Sequence, residues 1–203
     1  MTIKIYNFPR GGRGVRLFWQ CEEMGLPYEA EAMTFPPSVA YKALNPLGTV
    51  PFLVDGDVAI NESVAIMLYL AERYGPTPLL PAKSDAAFAR VLQITVFGEA
   101  SIGGMINPLL DAKFSAPDAD KDNWSVRMGE ARVEQFVGYV SDMLGERAFL
   151  VGDGLTLADI CVSTALGIWR GALDKVLPER LNAYQQRLQA RPGYQRASAK
   201  QLR

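Results

Sequence analysis

VPFLVDGDVAINESVAIMLYLAERYG, residues 50–75, holds two short β-rich runs, a tight turn and a helical stripe in one segment. Residues 50–54 and 58–60 carry β-branched and aromatic side chains, and Asp55-Gly56-Asp57 between them is a hairpin signal. From Glu62 to Tyr74, Val64, Ile66, Met67, Leu70 and Ala71 fall on one helical stripe, with Gly75 just past its end. Proline has no N–H to give to a central ladder, so Pro51 at a strand opening marks an edge or a cis peptide. A cis bond there would turn the Val50 amide and carbonyl outward, able to pair with an extended peptide ligand. Glu62 and Ser63 open the helix. The Ser63 hydroxyl and free backbone amides suit a carboxylate, and Glu62 suits an ammonium group; an ordinary helix cap is the alternative.

Upstream of this segment, residues 3–7 alternate as a half-buried strand, and Pro9-Arg10-Gly11-Gly12 ends it. Apolar positions over 15–24 recur at helical spacing and Gly25 stands where a C-terminal cap belongs. Residues 28–34 read as a second strand and 36–45 as a weaker helix closed by Asn45-Pro46-Leu47-Gly48. The order β-α-β-α-β-β-α over about 75 residues is that of a thioredoxin-like domain. Three prolines within residues 75–81 stiffen a connection. Beyond it no strand is expected; helical patterns run over 84–110, 122–144, 156–170 and 178–190, with a short one after Pro192. This divides the chain into residues 1–76, a linker at 77–83, and an all-helical domain at 84–203.

The bulk properties narrow the function. With 203 residues, 49% hydrophobic and 21% charged, the chain suits a folded soluble protein, and a net charge of −1 gives no electrostatic reason to expect nucleic acid. It has no uninterrupted apolar run long enough to span a bilayer and opens on MTIKIYNF without a signal stretch, so a cytoplasmic address is expected. Histidine is absent, which removes the commonest general base and metal ligand. Cys21 and Cys161 lie far apart inside helical patterns and read as reduced packing residues. Chemistry is left to hydroxyls, carboxylates, arginines, backbone amides or a borrowed thiol.

The 50–75 segment closely resembles the glutathione-binding segment of cytosolic glutathione transferases, and GLTLADI at 154–160 resembles that family's helix-start motif in its second domain. The resemblance implies an α/β thioredoxin-like N-terminal domain followed by an all-α helical bundle. It implies that Val50, before Pro51, pairs with the cysteinyl part of glutathione, that Thr49 flanks this contact, and that Glu62 and Ser63 bind the γ-glutamyl group. Thr156 and Asp159 have capping-box spacing and are read as structural.

The family's thiol-activating tyrosine, serine or cysteine lies in the loop after the first strand, and this chain departs from each pattern. Tyr6 and Asn7 stand near the tyrosine position, Arg10 and Gly11 near the serine or cysteine position. Tyr6 would offer a hydroxyl, Asn7 an amide, Arg10 a charge and Gly11 a backbone N–H; Arg13 would meet the glycine carboxylate of glutathione. No cysteine stands between 10 and 14, which weakens a mixed-disulfide mechanism. By analogy an acceptor pocket between the domains would use Phe8, Ile102, Met105 and Ile106; core packing is the alternative for the last three. The expected function is conjugation of glutathione, as co-substrate and without a metal, to small electrophilic apolar compounds in a detoxifying homodimer. A glutathione-dependent isomerase, dehalogenase or peroxidase, or a non-catalytic glutathione-binding protein, would keep the same first-domain site.

Overall fold

The computed structural model describes residues 2–9 and 12–201 and divides into two units, 1–77 with 189–203, and 78–188. The first unit is built on a four-stranded sheet in the order β2-β1-β3-β4. Strand β1 (Ile3–Asn7) pairs in parallel with β2 (Tyr28–Ala32) and antiparallel with β3 (Phe52–Asp55), which pairs antiparallel with β4 (Val58–Asn61). The alternation read along β1 is real: Ile3, Ile5 and Asn7 are buried on one face while Lys4 and Tyr6 take the other. Gly56 has φ 60° at the first position of the two-residue β3–β4 turn, where a side chain would be strained.

Helix α1 (Val15–Met24) ends as expected on Gly25 at φ 66°, whose N–H and that of Leu26 close on the last carbonyls of the helix. Helix α2 (Val39–Leu44) starts at Ser38, whose Oγ accepts from the Tyr41 amide at 3.1 Å. Helix α3 (Ser63–Arg73) follows β4 directly.

Two expectations about domain limits differ from the structure. Residues 77–83 are not a free linker: Leu79 and Leu80 are buried, and the Leu79 carbonyl accepts from Leu157 N at 2.9 Å, so the stretch from Pro78 on belongs to the helical unit. Residues 189–203 return to the first unit, because helix α9 (Pro192–Gln201) packs on α1. Tyr194 meets Trp19 edge-on at 5.0 Å, the Arg191 guanidinium forks onto Glu23 at 2.7 and 2.8 Å, and Arg196 reaches Glu22 at 2.6 Å.

In the helical unit the single helix expected over 84–110 is three segments: α4 (Ala86–Val96), a π-helical stretch (Phe97–Gly103) and α5 (Gly104–Phe114), with Pro108 inside the last. At Gly98, within the π-helical stretch, a Cβ would lie 3.1 Å from Cys161 Sγ and from Val162, so the backbone there approaches these two residues closely. Helix α6 (Trp124–Leu144) is capped by Asn123, and α7 (Leu157–Gly171) and α8 (Glu179–Gln189) complete the unit. The capping pair at Thr156 and Asp159 is present: Asp159 Oδ2 accepts from Thr156 N and Oγ1 at 2.9 Å, while Oδ1 accepts from Leu150 N and Tyr184 Oη at 2.8 Å. Burial still pushes the Asp159 carboxyl up despite those four donors.

Candidate functional site

Strand register gathers the singled-out residues at one end of the sheet. Tyr6 lies opposite Phe52 and Phe52 opposite Asn61, so Asn7, Pro51 and Glu62 are the residues next along the chain at the same end of the sheet. The Val50-Pro51 bond is cis, Pro51 is buried and Val50 half-buried. The approach to it is held by α2, an arrangement the sequence reading missed. The Thr49 carbonyl accepts from the Tyr41 hydroxyl at 2.6 Å and from Asn45 Nδ2 at 2.8 Å, and Tyr41 and Asn45 are both buried. Exposed Thr49 is thereby fixed through its backbone, leaving its side chain outward.

Glu62 has φ 67° and ψ 105°, a conformation that costs a non-glycine residue about 1–3 kcal/mol and persists only where its surroundings impose it. Its side chain is exposed and makes no capping bond to α3, while Ser63, the first residue of the helix, is 3% exposed. The first-turn amides of α3 therefore have no side-chain cap, and a carboxylate exposed beside them can meet an ammonium group. Behind Ser63 stands Arg16, wholly buried, whose Nη1 donates to Ser63 Oγ at 3.0 Å. Arg16 was not singled out from the sequence. The signal was available: a charged residue at 16 and an amide at 20 share the helix stripe that buries Leu17 and Cys21.

The candidates for thiol activation separate. Tyr6 lies on the sheet face opposite Asn7, its ring 5.5 Å from Tyr41 and 5.9 Å from Phe52, in a packing cluster with α2. Asn7 is 2% exposed and its Nδ2 donates to the Phe8 carbonyl at 3.0 Å. Its side chain fills the bend before α1, where a Cβ on Gly14 would fall 2.3 Å from Asn7 Cγ. Asn7 thus shapes the turn that aims the α1 N-terminus, and Gly14 at the cap supplies no side-chain bond to the first-turn amides. Arg13 is half-buried in the same turn, its carbonyl accepting from Arg16 N at 3.2 Å. Arg10 and Gly11 lie outside the described residues. Cys21 is fully buried and its thiol is pushed up to about 12 by that burial, so it stays protonated and unreactive.

The acceptor-pocket candidates differ in exposure within their own units. Ile102 and Ile106, one turn apart, are completely buried in the helical unit, and only Met105, 38% exposed, faces outward. Met105 instead borders a largely apolar groove of about 590 Å³ between α5 and α6, with Leu109, Trp124 and Met128 among its walls. Phe8 is half-buried and meets Phe35 edge-on at 6.1 Å; Phe35, 83% exposed, is an apolar neighbour of the β1–α1 loop that sequence periodicity could not mark. Among the described residues no group of three His, Cys, Asp or Glu side chains could hold a metal ion, and no helix is long and apolar enough to cross a membrane.

Comparison with known proteins finds a match in each half of the chain. Residues 14–73 match the family model "Glutathione S-transferase, N-terminal domain" and residues 104–196 match "Glutathione S-transferase, C-terminal domain". The chain is 41% identical over 83 residues to Glutathione S-transferase Z1 of Arabidopsis thaliana, a match spanning 39% of this chain and only 38% of that relative's length. It is 32% identical over 170 residues to Glutathione S-transferase 3 of Zea mays, covering 77% of this chain and 73% of that one. It is 26% identical to a probable maleylacetoacetate isomerase of Vibrio cholerae over 98% of this chain and 96% of the other. Among solved structures, a glutathione transferase from Methylococcus capsulatus superposes with a TM-score of 0.86 at 28% identity, over 98% of both chains. A theta class enzyme from Xanthomonas axonopodis with glutathione bound does so at 0.82 and 27% identity, over 97% of both.

Proposed function

Because the chain belongs to the glutathione S-transferase family, we propose that it binds glutathione at the end of its sheet and uses the thiolate to attack small electrophilic, largely apolar compounds. The observation that carries this reading is Glu62, held at φ 67° beside buried Ser63 and the cis Val50-Pro51 bond. In this reading the γ-glutamyl end lies at α3, its ammonium on Glu62 and its carboxylate on Ser63 and the first-turn amides. The cysteinyl backbone pairs with Val50 in strand fashion, and Arg13 takes the glycine carboxylate.

A free thiol near pKa 8.5 is only a few per cent ionised at pH 7, and lowering it by about two units makes thiolate the majority form. The support for such a shift here is the dipole at the N-terminus of α1, in a turn shaped by Asn7 and Gly14. The thiolate then forms a C–S bond to the electrophile, and either the leaving group departs with its electron pair or the adjacent carbon takes a proton. The family supports a cytoplasmic homodimer with a detoxifying role.

A second reading is favoured by the match over nearly the whole chain to the probable maleylacetoacetate isomerase of Vibrio cholerae. There the thiolate would add to a conjugated cis double bond, allow rotation about the resulting single bond, and be expelled again, so that glutathione is regenerated.

Titrating the ultraviolet absorbance of protein-bound glutathione tests the thiolate. A bound thiol pKa below about 7 is expected, and an unshifted value sinks both catalytic readings. Parallel assays with an aryl halide and a cis-enoyl dicarboxylic acid then choose between net conjugation and isomerisation.

A further inference from the structure

The groove of about 590 Å³ between α5 and α6 is formed by the helical unit alone. Buried Leu109 and, against it, Gly129 make its floor: a Cβ on Gly129 would stand 3.1 Å from Leu109 Cδ2, so the two helices meet closely there. On its walls Trp124 is 70% exposed and Met128 48% exposed. Packing gives no reason for either, since the first turns of a surface helix accept polar residues and an indole left in water gains nothing from its apolar area. A volume in the range of small-molecule pockets, with a rigid aromatic wall and adaptable thioethers, suits a flat apolar ligand.

The charges define the rest of that ligand. Asp120 and Arg132 are the two charged side chains in the lining. Asp120 ends the short turn Asp118–Asp120 before α6, and Arg132 lies eight residues beyond Trp124, about 12 Å along the helix, so the two stand toward opposite ends. Neighbouring charges on these elements are paired: Lys113 with Asp174 at 2.6 Å, Lys175 with Glu130 at 2.7 Å and Lys121 with Asp118 at 2.8 Å. Among the described residues neither Asp120 nor Arg132 makes an ion pair, and Arg132 Nη1 reaches Gln135 Oε1 at 3.4 Å. A guanidinium keeps its charge at any working pH and forks onto planar anionic groups, while a carboxylate repels them. We propose that this groove is a second ligand site, binding elongated aromatic carboxylates or sulfonates with their rings against Trp124 and Met128 and the anionic group on Arg132.

The test titrates the full chain with two fluorescent probes, anilinonaphthalene sulfonate and phenylnaphthylamine, which share a ring system and differ in the sulfonate. Saturating S-hexylglutathione is present throughout to fill the glutathione and acceptor sites. The sulfonate is expected to bind once per chain under these conditions. Arg132→Gln should weaken the sulfonate by about tenfold and the neutral probe by less than about twofold, and Asp120→Asn should tighten the sulfonate. Trp124→Ser should weaken both probes by about tenfold or more. Loss of sulfonate binding beside S-hexylglutathione would make the groove part of the acceptor pocket and overturn the proposal. Equal weakening of the two probes by Arg132→Gln overturns it as well. So does a fall in sedimenting mass on Trp124→Ser, which would make the groove a contact between copies of the chain. Should Trp124→Ser not fold, the exposed substitution Arg132→Gln decides alone.

Discussion

At the scale of single residues, the geometry around Asn7 separates two neighbours that the sequence could not. Strand alternation sends Tyr6 into the aromatic cluster with Tyr41 and Phe52 and Asn7 into the bend before α1. Tyr6→Phe is accordingly expected to keep kcat for glutathione conjugation within about twofold, since removing a hydrogen-bonding hydroxyl from the thiol would cost about tenfold or more; steady-state kinetics decide it. Gly14→Ala is expected to destabilise the fold by about 1–3 kcal/mol in urea unfolding, because its Cβ would overlap the Asn7 side chain. Combining it with Asn7→Ser, which empties that space, should recover part of the loss. Candidates 6 and 7 were legible as a pair, because a strand ending at a glycine-rich turn is plain in the sequence. Their division depends on which face meets α2. Arg16 went unread for a related reason: helical spacing marks a buried stripe but not the partner waiting across it.

At the scale of elements, the hairpin, α3 and their junction were readable because local chemistry dictates them: Gly56 for the turn, Pro51 at the strand opening, Glu62 and Ser63 at the helix start. The split of the long helix at Phe97–Gly103 was not, and within it Gly98 lies against Cys161 and Val162, contacts across the bundle that helical spacing does not mark. Nor was the hold of α9 on α1, made by ion pairs some 170 residues apart in sequence. This contact has a pH signature. Burial pushes the Glu22 carboxyl up, but hydrogen bonds from Arg196 and Tyr28 and the charge of Lys200 outweigh it and hold the group below its usual range. At Glu23 burial is likewise outweighed by Arg191 and Trp19. Carboxyls lowered in the folded state stabilise it above the unfolded pKa of about 4.3, and that contribution disappears as pH falls through the lowered values. Urea midpoints measured from pH 7 down to 3 should therefore fall steeply below about pH 4.3 for the unaltered chain. A Glu22→Gln, Glu23→Gln variant should be less stable at pH 7 and show a flatter acid limb.

At the scale of the whole molecule, the order β-α-β-α-β-β-α followed by helices was legible because each element carries its own period. The limits of the two units were not, because Leu79 and Leu80 look like linker residues until Leu157 is seen to meet them, and nothing in residues 189–203 announces the unit to which they return. Ending the chain at Leu188 is expected to strip hydrogen-exchange protection from α1, whose fully buried Trp19 meets Tyr194, while α7 keeps its protection. Glutathione binding should fail in the same truncated chain, measured by calorimetry. The return of α9 also orders events on the ribosome. Synthesis runs from the N- to the C-terminal side, so the sheet and α1–α3 emerge before the helical unit, yet the surface of α1 that α9 covers must wait through the synthesis of more than a hundred residues for its partner. Topologically the helical unit is an insertion within the sheet unit. The unit begun first is therefore the one finished last: its fold can close only once residues 189–203 have been made, not when the first 77 have emerged.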